Sequence, residues 1–252
     1  MPHSLASPAF AILTACRLLA QNAPLEFDVA SVKPNQTDSG HTSIDRNGGV
    51  LRMTNVTLKA CISLAYGLTE AQVSGPGWLD SEEYDIVAKA PSGAGENQQP
   101  AMLRALLADR FKLALHRDTK EIPIYALVVA KNGAKIKPDE SPEQGDGNRS
   151  SSRGHLTASG TSMAQLATFL AGPRADLGRP VVDKTGLDDV FSFTLDWTPD
   201  SMTSEPNGAL RKDAKPPLLT AVQEQLGLKL EGQKAPVEIV VVDRAEKVPT
   251  EN

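Results

Sequence analysis

Aromatic side chains make up only 4% of the 252 residues, with two Trp, three Tyr and six Phe. So sparse a supply argues against a face built to stack nucleic-acid bases. No basic cluster is present either: 26 Lys and Arg stand against 31 Asp and Glu, for a formal charge of −5. That balance repels a phosphate backbone unless one face is strongly basic, so nucleic acid is not expected as a partner. Metal-ligating side chains are few, with two Cys and four His. The histidines, at 3, 41, 116 and 155, form no H-x-x-x-H or H-E-x-x-H spacing, and neither a metal nor a cofactor is expected. A G-x-S-x-G nucleophile elbow is missing, and Gly75-Pro76-Gly77 lacks at its centre the N–H that a phosphate cradle needs.

What the chain does contain is 40% hydrophobic and 23% charged residues with 19 Gly and 18 Pro. This is the composition of a folded chain, long enough for one large domain or two small ones. The first 23 residues stand apart. Ala9-Phe10-Ala11-Ile12-Leu13-Thr14-Ala15-Cys16 and Leu18-Leu19-Ala20 form an apolar stretch without acidic residues, followed by the polar break Gln21-Asn22-Ala23-Pro24. It resembles a secretory signal peptide cut near Ala23, although its leading segment has no Lys or Arg and Arg17 interrupts it. Leu13-Thr14-Ala15-Cys16 also reads as a lipobox, so Cys16 is either lipidated as an anchor or removed with the leader. The run is too short to span a bilayer, which takes about 20 apolar residues, and no transmembrane span is expected in the mature chain. Cys61, on an apolar helix face, reads as a buried small hydrophobe.

From Glu26 onward short strands alternate with helices. Strands are expected at Phe27–Val32, Val50–Met53, Tyr84–Ala88, Pro180–Asp183, Phe191–Leu195, Leu228–Leu230 and Val237–Val242. Helices are expected at Thr57–Tyr66, Pro100–Leu113, Met163–Leu170 and Leu218–Leu226. Lys112–Arg117 and Ile124–Lys131 read as a hairpin turning at Asp118-Thr119-Lys120-Glu121. Three stretches read as loops: Pro91–Gln99, Asp139–Gly154 and Asp200–Pro217. Val73–Trp78 lies over Val182–Leu187, Phe111–Leu113 over Leu228–Leu230, and Pro123-Ile124 over Pro236-Val237. The fold class expected is α+β, with two internally duplicated, ferredoxin-like βαββαβ halves and antiparallel or mixed sheets. The first half would span 24–138 and the second 155–252, joined by a linker at 139–154.

Two acidic pairs, Glu82-Glu83 and Asp188-Asp189, read as solvated turn residues. Asp109-Arg110 and Arg117-Asp118 flank Phe111–His116, where an interlocking ion pair or a ligand-binding arginine would fit.

Several segments together resemble a known family. They are Phe27–Pro34, Leu107–Leu113 with His116-Arg117, Tyr125–Lys131, Gly178–Leu187, Phe193–Trp197 and Gln225–Leu230. They are similar to the domain of unknown function 3738, a paralogous exported family expanded in soil Acidobacteria, from about Phe27 to Lys247. At Phe191-Ser192 the chain departs from the Tyr-Asp common in that family. The resemblance implies export and, because the domain also occurs attached to membrane-embedded metallopeptidase sensors, a periplasmic sensing or binding role. It carries over no catalytic residue. The signature positions it marks as candidate binding residues are Asp109, Arg110, His116, Asp183 and Lys184. The expectation is a periplasmic or extracellular binding module for an envelope protein, a peptide or a glycan. The alternative is an exported hydrolase with its acid–base site in a cleft between the halves.

Overall fold

The computed structural model describes residues 25–36, 42–139, 148–199 and 215–250. The leader, with Cys16, lies outside them, as do 200–214 of the third expected loop. The first run of elements is β1 (Val29–Pro34), β2 (Ser43–Asn47), β3 (Val50–Thr57), α1 (Leu58–Tyr66), β4 (Val73–Ser74), β5 (Glu83–Lys89), α2 (Gln99–Arg110) and β6 (Ala114–Val129). The second is β7 (Asn148–Ser152), β8 (His155–Ser162), α3 (Met163–Ala171), β9 (Val181–Asp183), β10 (Val190–Asp196), α4 (Leu218–Leu226) and β11 (Leu228–Arg244). The fold is α+β, with mixed and antiparallel sheets.

Local chemistry sets the helix ends. Thr57 caps α1 by accepting from the Ala60 N–H at 3.1 Å, and Gly67 stops it in the left-handed conformation. Ser162 and Gln165 form a reciprocal capping box at the start of α3. Pro100 sits in the first turn of α2, where its missing N–H costs nothing.

β1, β5, β3 and β2 form, in that order, an antiparallel sheet. Its inner face packs Leu51, Met53 and Ile86 against Ile62 of α1 and Leu103 and Leu107 of α2. β10, β8 and β7 form a smaller antiparallel sheet. Leu156, Phe191 and Leu195 on its inner face pack with Leu166 and Leu170 of α3 and Val222 of α4.

Between these two cores runs a long ribbon. β6 and β11 pair antiparallel from Val129–Leu228 to Ala114–Arg244, while β4 adds in parallel to β11 and β9 in parallel to β6. Val240 and Val242 at one end belong to the first core, and Leu127, Leu228 and Leu230 at the other belong to the second. The hairpin expected at Asp118–Glu121 is therefore not formed. Those four residues continue the strand opposite Ile239, Glu238, Val237 and Pro236. They contain no Gly or Asn to reverse the chain, and a partner strand is on hand for the whole length. Leu228–Leu230 and Val237–Val242 likewise merge into the single strand β11, and the stretch expected as a linker at 139–154 carries β7.

The order strand, strand, helix, strand, strand, helix, strand occurs twice, from β2 to β6 and from β7 to β11. A ferredoxin-like half would gather its strands into one sheet; here β4 and β6 leave β3 and β5 and pair with β11 and β9 of the other run. Local geometry also recurs. Val32-Lys33-Pro34-Asn35 and Ile136-Lys137-Pro138-Asp139 bring Pro34 opposite Tyr84 and Pro138 opposite Phe191. The Asn35 N–H then donates to the Glu83 carbonyl and the Asp139 N–H to the Val190 carbonyl, both at 2.8 Å.

Each of the two sheets also has a bulge shortly before the helix cap, opposite Asp85 in one and Ser192 in the other. The bulge residues are Asn55 at φ 55° and Gly160 at φ 58°. A carboxylate ties each bulge. Asp85 accepts from the Asn55 N–H and the Asn35 amide, both at 2.9 Å. Asp139 accepts from the Gly160 N–H and the Ser192 hydroxyl. In one clamp the acid is on β5, opposite the bulge, and in the other it follows the Lys-Pro segment.

Candidate functional site

The five signature residues do not converge. Asp109 and Arg110 end α2, where Arg110 Nε lies 3.4 Å from the Asp109 carboxylate. Residues after β11 strap this corner: the Glu246 N–H donates to the Phe111 carbonyl at 2.7 Å and the Thr250 N–H to the Arg110 carbonyl at 2.8 Å. Tyr84 donates its hydroxyl to the Lys247 carbonyl at 2.7 Å, and burial pushes that phenol up to about 12. Arg110 Nη1 reaches the Thr250 carbonyl at 3.4 Å, so Arg110 holds the strap. His116 Nδ1 meets Asp243 at 2.8 Å on the exposed ribbon, and Arg117 meets Glu238 at 2.9 Å. The interlocking pair expected between Asp109-Arg110 and Arg117-Asp118 is replaced by these contacts.

Asp183 lies at the other end of the ribbon. It stands opposite Leu127, eleven positions along β6 from His116, or about 36 Å at strand rise. Its carboxylate accepts from the Thr185 N–H at 2.9 Å and the Thr185 hydroxyl at 2.8 Å, which builds the turn that Gly186 completes at φ 67°. The Lys184 N–H donates to the Leu127 carbonyl at 2.9 Å. These two residues shape a turn.

A different cluster is assembled on the outer face of the β7–β8–β10 sheet. Register places Asp196 opposite His155, which stands opposite Ser152, and in the next row Thr194 opposite Thr157, which stands opposite Ser150. Ser192 and Ser159 meet at 3.2 Å one row further. Alternation along each strand turns these polar side chains outward while Leu156, Ala158, Phe191 and Leu195 turn in. At the centre, His155 Nδ1 lies 2.8 Å from Asp196 Oδ1, and Thr157 Oγ1 lies 3.1 Å from His155 Nε2. A carboxylate only accepts, so a neutral His155 donates through Nδ1 and offers bare Nε2 to the Thr157 hydroxyl.

Lys215 completes the group with a contact to Asp196 Oδ1. The Lys215 hydrogen bond and, after it, that of His155 hold the Asp196 carboxyl below its usual range. Gln225 of α4 fixes the Asp196 backbone from behind: its Oε1 accepts from the Asp196 N–H at 3.0 Å and its Nε2 donates to the Asp196 carbonyl at 2.7 Å. The result is a preorganised donor–acceptor row on an open face. Sequence reading gave no element to His155–Ser162, although His155-Leu156-Thr157-Ala158-Ser159 alternates polar and apolar residues as a half-buried strand does. His155 and Asp196 meet only through strand register.

Elsewhere, Cys61 is fully buried in the first core, and burial raises its thiol to about 12, which leaves it inert as a nucleophile. Among the described residues no three His, Cys, Asp or Glu side chains are grouped to hold a metal ion, and no helix is long and apolar enough to cross a membrane. An open groove of about 380 Å³ lies beside the end of α4, between Lys131, Gln223 and Lys229. There Lys135 donates to the Glu224 carbonyl at 2.6 Å and so caps the helix.

No curated protein and no solved structure matches the chain. One family model does, over residues 59–245, which include all but the first residue of α1, the other three helices and the whole ribbon. That span covers well over half of the sequence, and the chain belongs to the family described as protein of unknown function (DUF3738).

Proposed function

We propose that this protein is an exported periplasmic or cell-surface binding or sensing module that holds an envelope ligand against the outer face of the β7–β8–β10 sheet. The observation that carries the reading is the fixed row Thr157–His155–Asp196–Lys215, locked from behind by Gln225 yet open in front. Rigid, outward-facing donors and acceptors cost little entropy on binding. The apolar first 23 residues support export, with Cys16 either a lipid anchor or part of a discarded leader. The repeated Lys-Pro segments, bulges and clamps support the reading of the chain as one duplicated unit.

The test is amide NMR of the protein during titration with soluble peptidoglycan fragments and with a peptide digest of envelope proteins. Saturable shifts centred on His155, Thr157 and Asp196, weakened about tenfold or more in His155→Ala and Asp196→Asn, are expected. Shifts confined to the Asp183 turn or to the His116 ribbon would place binding elsewhere and end the reading.

One observation favours hydrolysis as a second reading. Thr157, His155 and Asp196 have the order and hydrogen-bond reach of a hydroxyl nucleophile, its base and the group that orients the base. The site would then be this open face and not a cleft between halves. Incubation with p-nitrophenyl acetate followed by peptide mapping checks it. Acyl transfer to Thr157 that disappears in His155→Ala supports hydrolysis, whereas equal rates in wild type, Thr157→Val and His155→Ala reject it.

A further inference from the structure

Each sheet edge of this molecule is finished differently. Pro34 ends β1 beside Lys33. Each ribbon strand carries a proline, Pro123 in β6 and Pro236 in β11, which remove N–H groups that an added strand would use. β4 and β9 are two and three residues long. The outer edge of β10 is closed at one end by the Asp139 N–H to the Val190 carbonyl and at the other by the Gln225 clamp on Asp196.

β2 and β7 remain. β2 is the mixed-charge strand Ser43-Ile44-Asp45-Arg46-Asn47, whereas β7 reads Asn148-Arg149-Ser150-Ser151-Ser152. It has neither proline nor acid and is flanked by Arg153, and Arg174 reaches its side at Ser151, 2.9 Å away. Arg149, Arg153 and Arg174 meet no carboxylate among the described residues. Among the described residues no strand pairs with the outer edge of β7, and a backbone ladder bordered by guanidinium groups fits one kind of partner.

We propose that the outer edge of β7 takes up an extended acidic peptide segment of another protein as a further strand of the β10–β8–β7 sheet. The inference rests on the binding reading above and names its partner. Main-chain hydrogen bonds to β7 supply the affinity, and Arg149, Arg153 and Arg174 select acidic side chains on alternate positions of the added strand. The small Ser side chains leave the edge accessible to an incoming backbone.

The experiment uses the full chain and the synthetic peptide acetyl-EVTVEVTE-amide, read by fluorescence anisotropy and amide hydrogen exchange. Saturable binding is expected, with exchange slowed about tenfold or more at alternate amides of residues 149–152. Arg149→Glu with Arg153→Glu should weaken binding about tenfold or more, and a copy of the peptide N-methylated at every residue should not bind. Equal binding by the N-methylated peptide, or by the same sequence with Lys for Glu, overturns the proposal. So does a concentration-dependent dimer that itself protects 149–152, because a second copy is then the occupant. Shifts at His155 and Asp196 with β7 amides unprotected keep the outer-face reading and reject strand addition.

Discussion

Gly227 ends α4 at φ 67°, and a Cβ there would lie 2.3 Å from the Gly133 carbonyl oxygen and 2.7 Å from the Lys135 nitrogen. Gly67 ends α1 at nearly the same angle, φ 66°, with open space around it. Substitution by Ala should therefore separate strain from crowding. Gly67→Ala is expected to cost about 1 kcal/mol and Gly227→Ala about 2–4 kcal/mol, read from urea unfolding midpoints at constant slope. The bulge clamps give a second residue-scale prediction. Asp85→Ser alone leaves the Asn55 N–H without its carboxylate and should cost about 1–3 kcal/mol, while Asn35→Asp with Asp85→Ser copies the Asp139–Ser192 arrangement and should recover at least half of it.

Asp196 supplies a pH dependence whose sign follows from its lowered pKa. A carboxyl held below 3.8 by Lys215 and His155 contributes stability that is complete at neutral pH and is lost as pH falls through the folded-state value. Thermal melts between pH 7 and pH 2.5 should show a smaller loss in Asp196→Asn than in wild type. An identical pH profile would mean that the cluster adds nothing to stability.

Helices were the most legible elements, and α4 has the bounds that its apolar spacing gives, because a stripe and a left-handed stop are both local signals. Strands were harder. The exposed run Asp118-Thr119-Lys120-Glu121 looks like a turn when only its polarity is weighed, yet it is held extended by a partner more than a hundred positions away. The candidate site depends on the same long-range register, which no local pattern discloses. At this scale the ribbon edges make a prediction of their own. Restoring N–H groups with Pro123→Val and Pro236→Val should promote edge-to-edge association, seen as a concentration-dependent rise in mass by light scattering. A double variant whose mass matches that of wild type at every concentration would assign edge protection to the charged residues alone.

In the whole molecule, each run of elements lends a short strand to the other: β4 lies on β11 and β9 on β6. Cutting the chain between the runs should not release them. A specific protease site engineered at 143–144 is expected to yield two fragments that co-elute in native buffer and part only in denaturant, with a single unfolding transition before and after cleavage. Fragments that separate in native buffer would show that the ribbon does not hold the two cores together. The ribbon also has a mechanical meaning. Because each of β6 and β11 has one end in each core, a pull that draws the cores apart runs along two continuous backbones in parallel, and no ladder bond has to open for the load to be carried. A tensile load on the two cores would thus meet a stiff tie rod rather than a hinge.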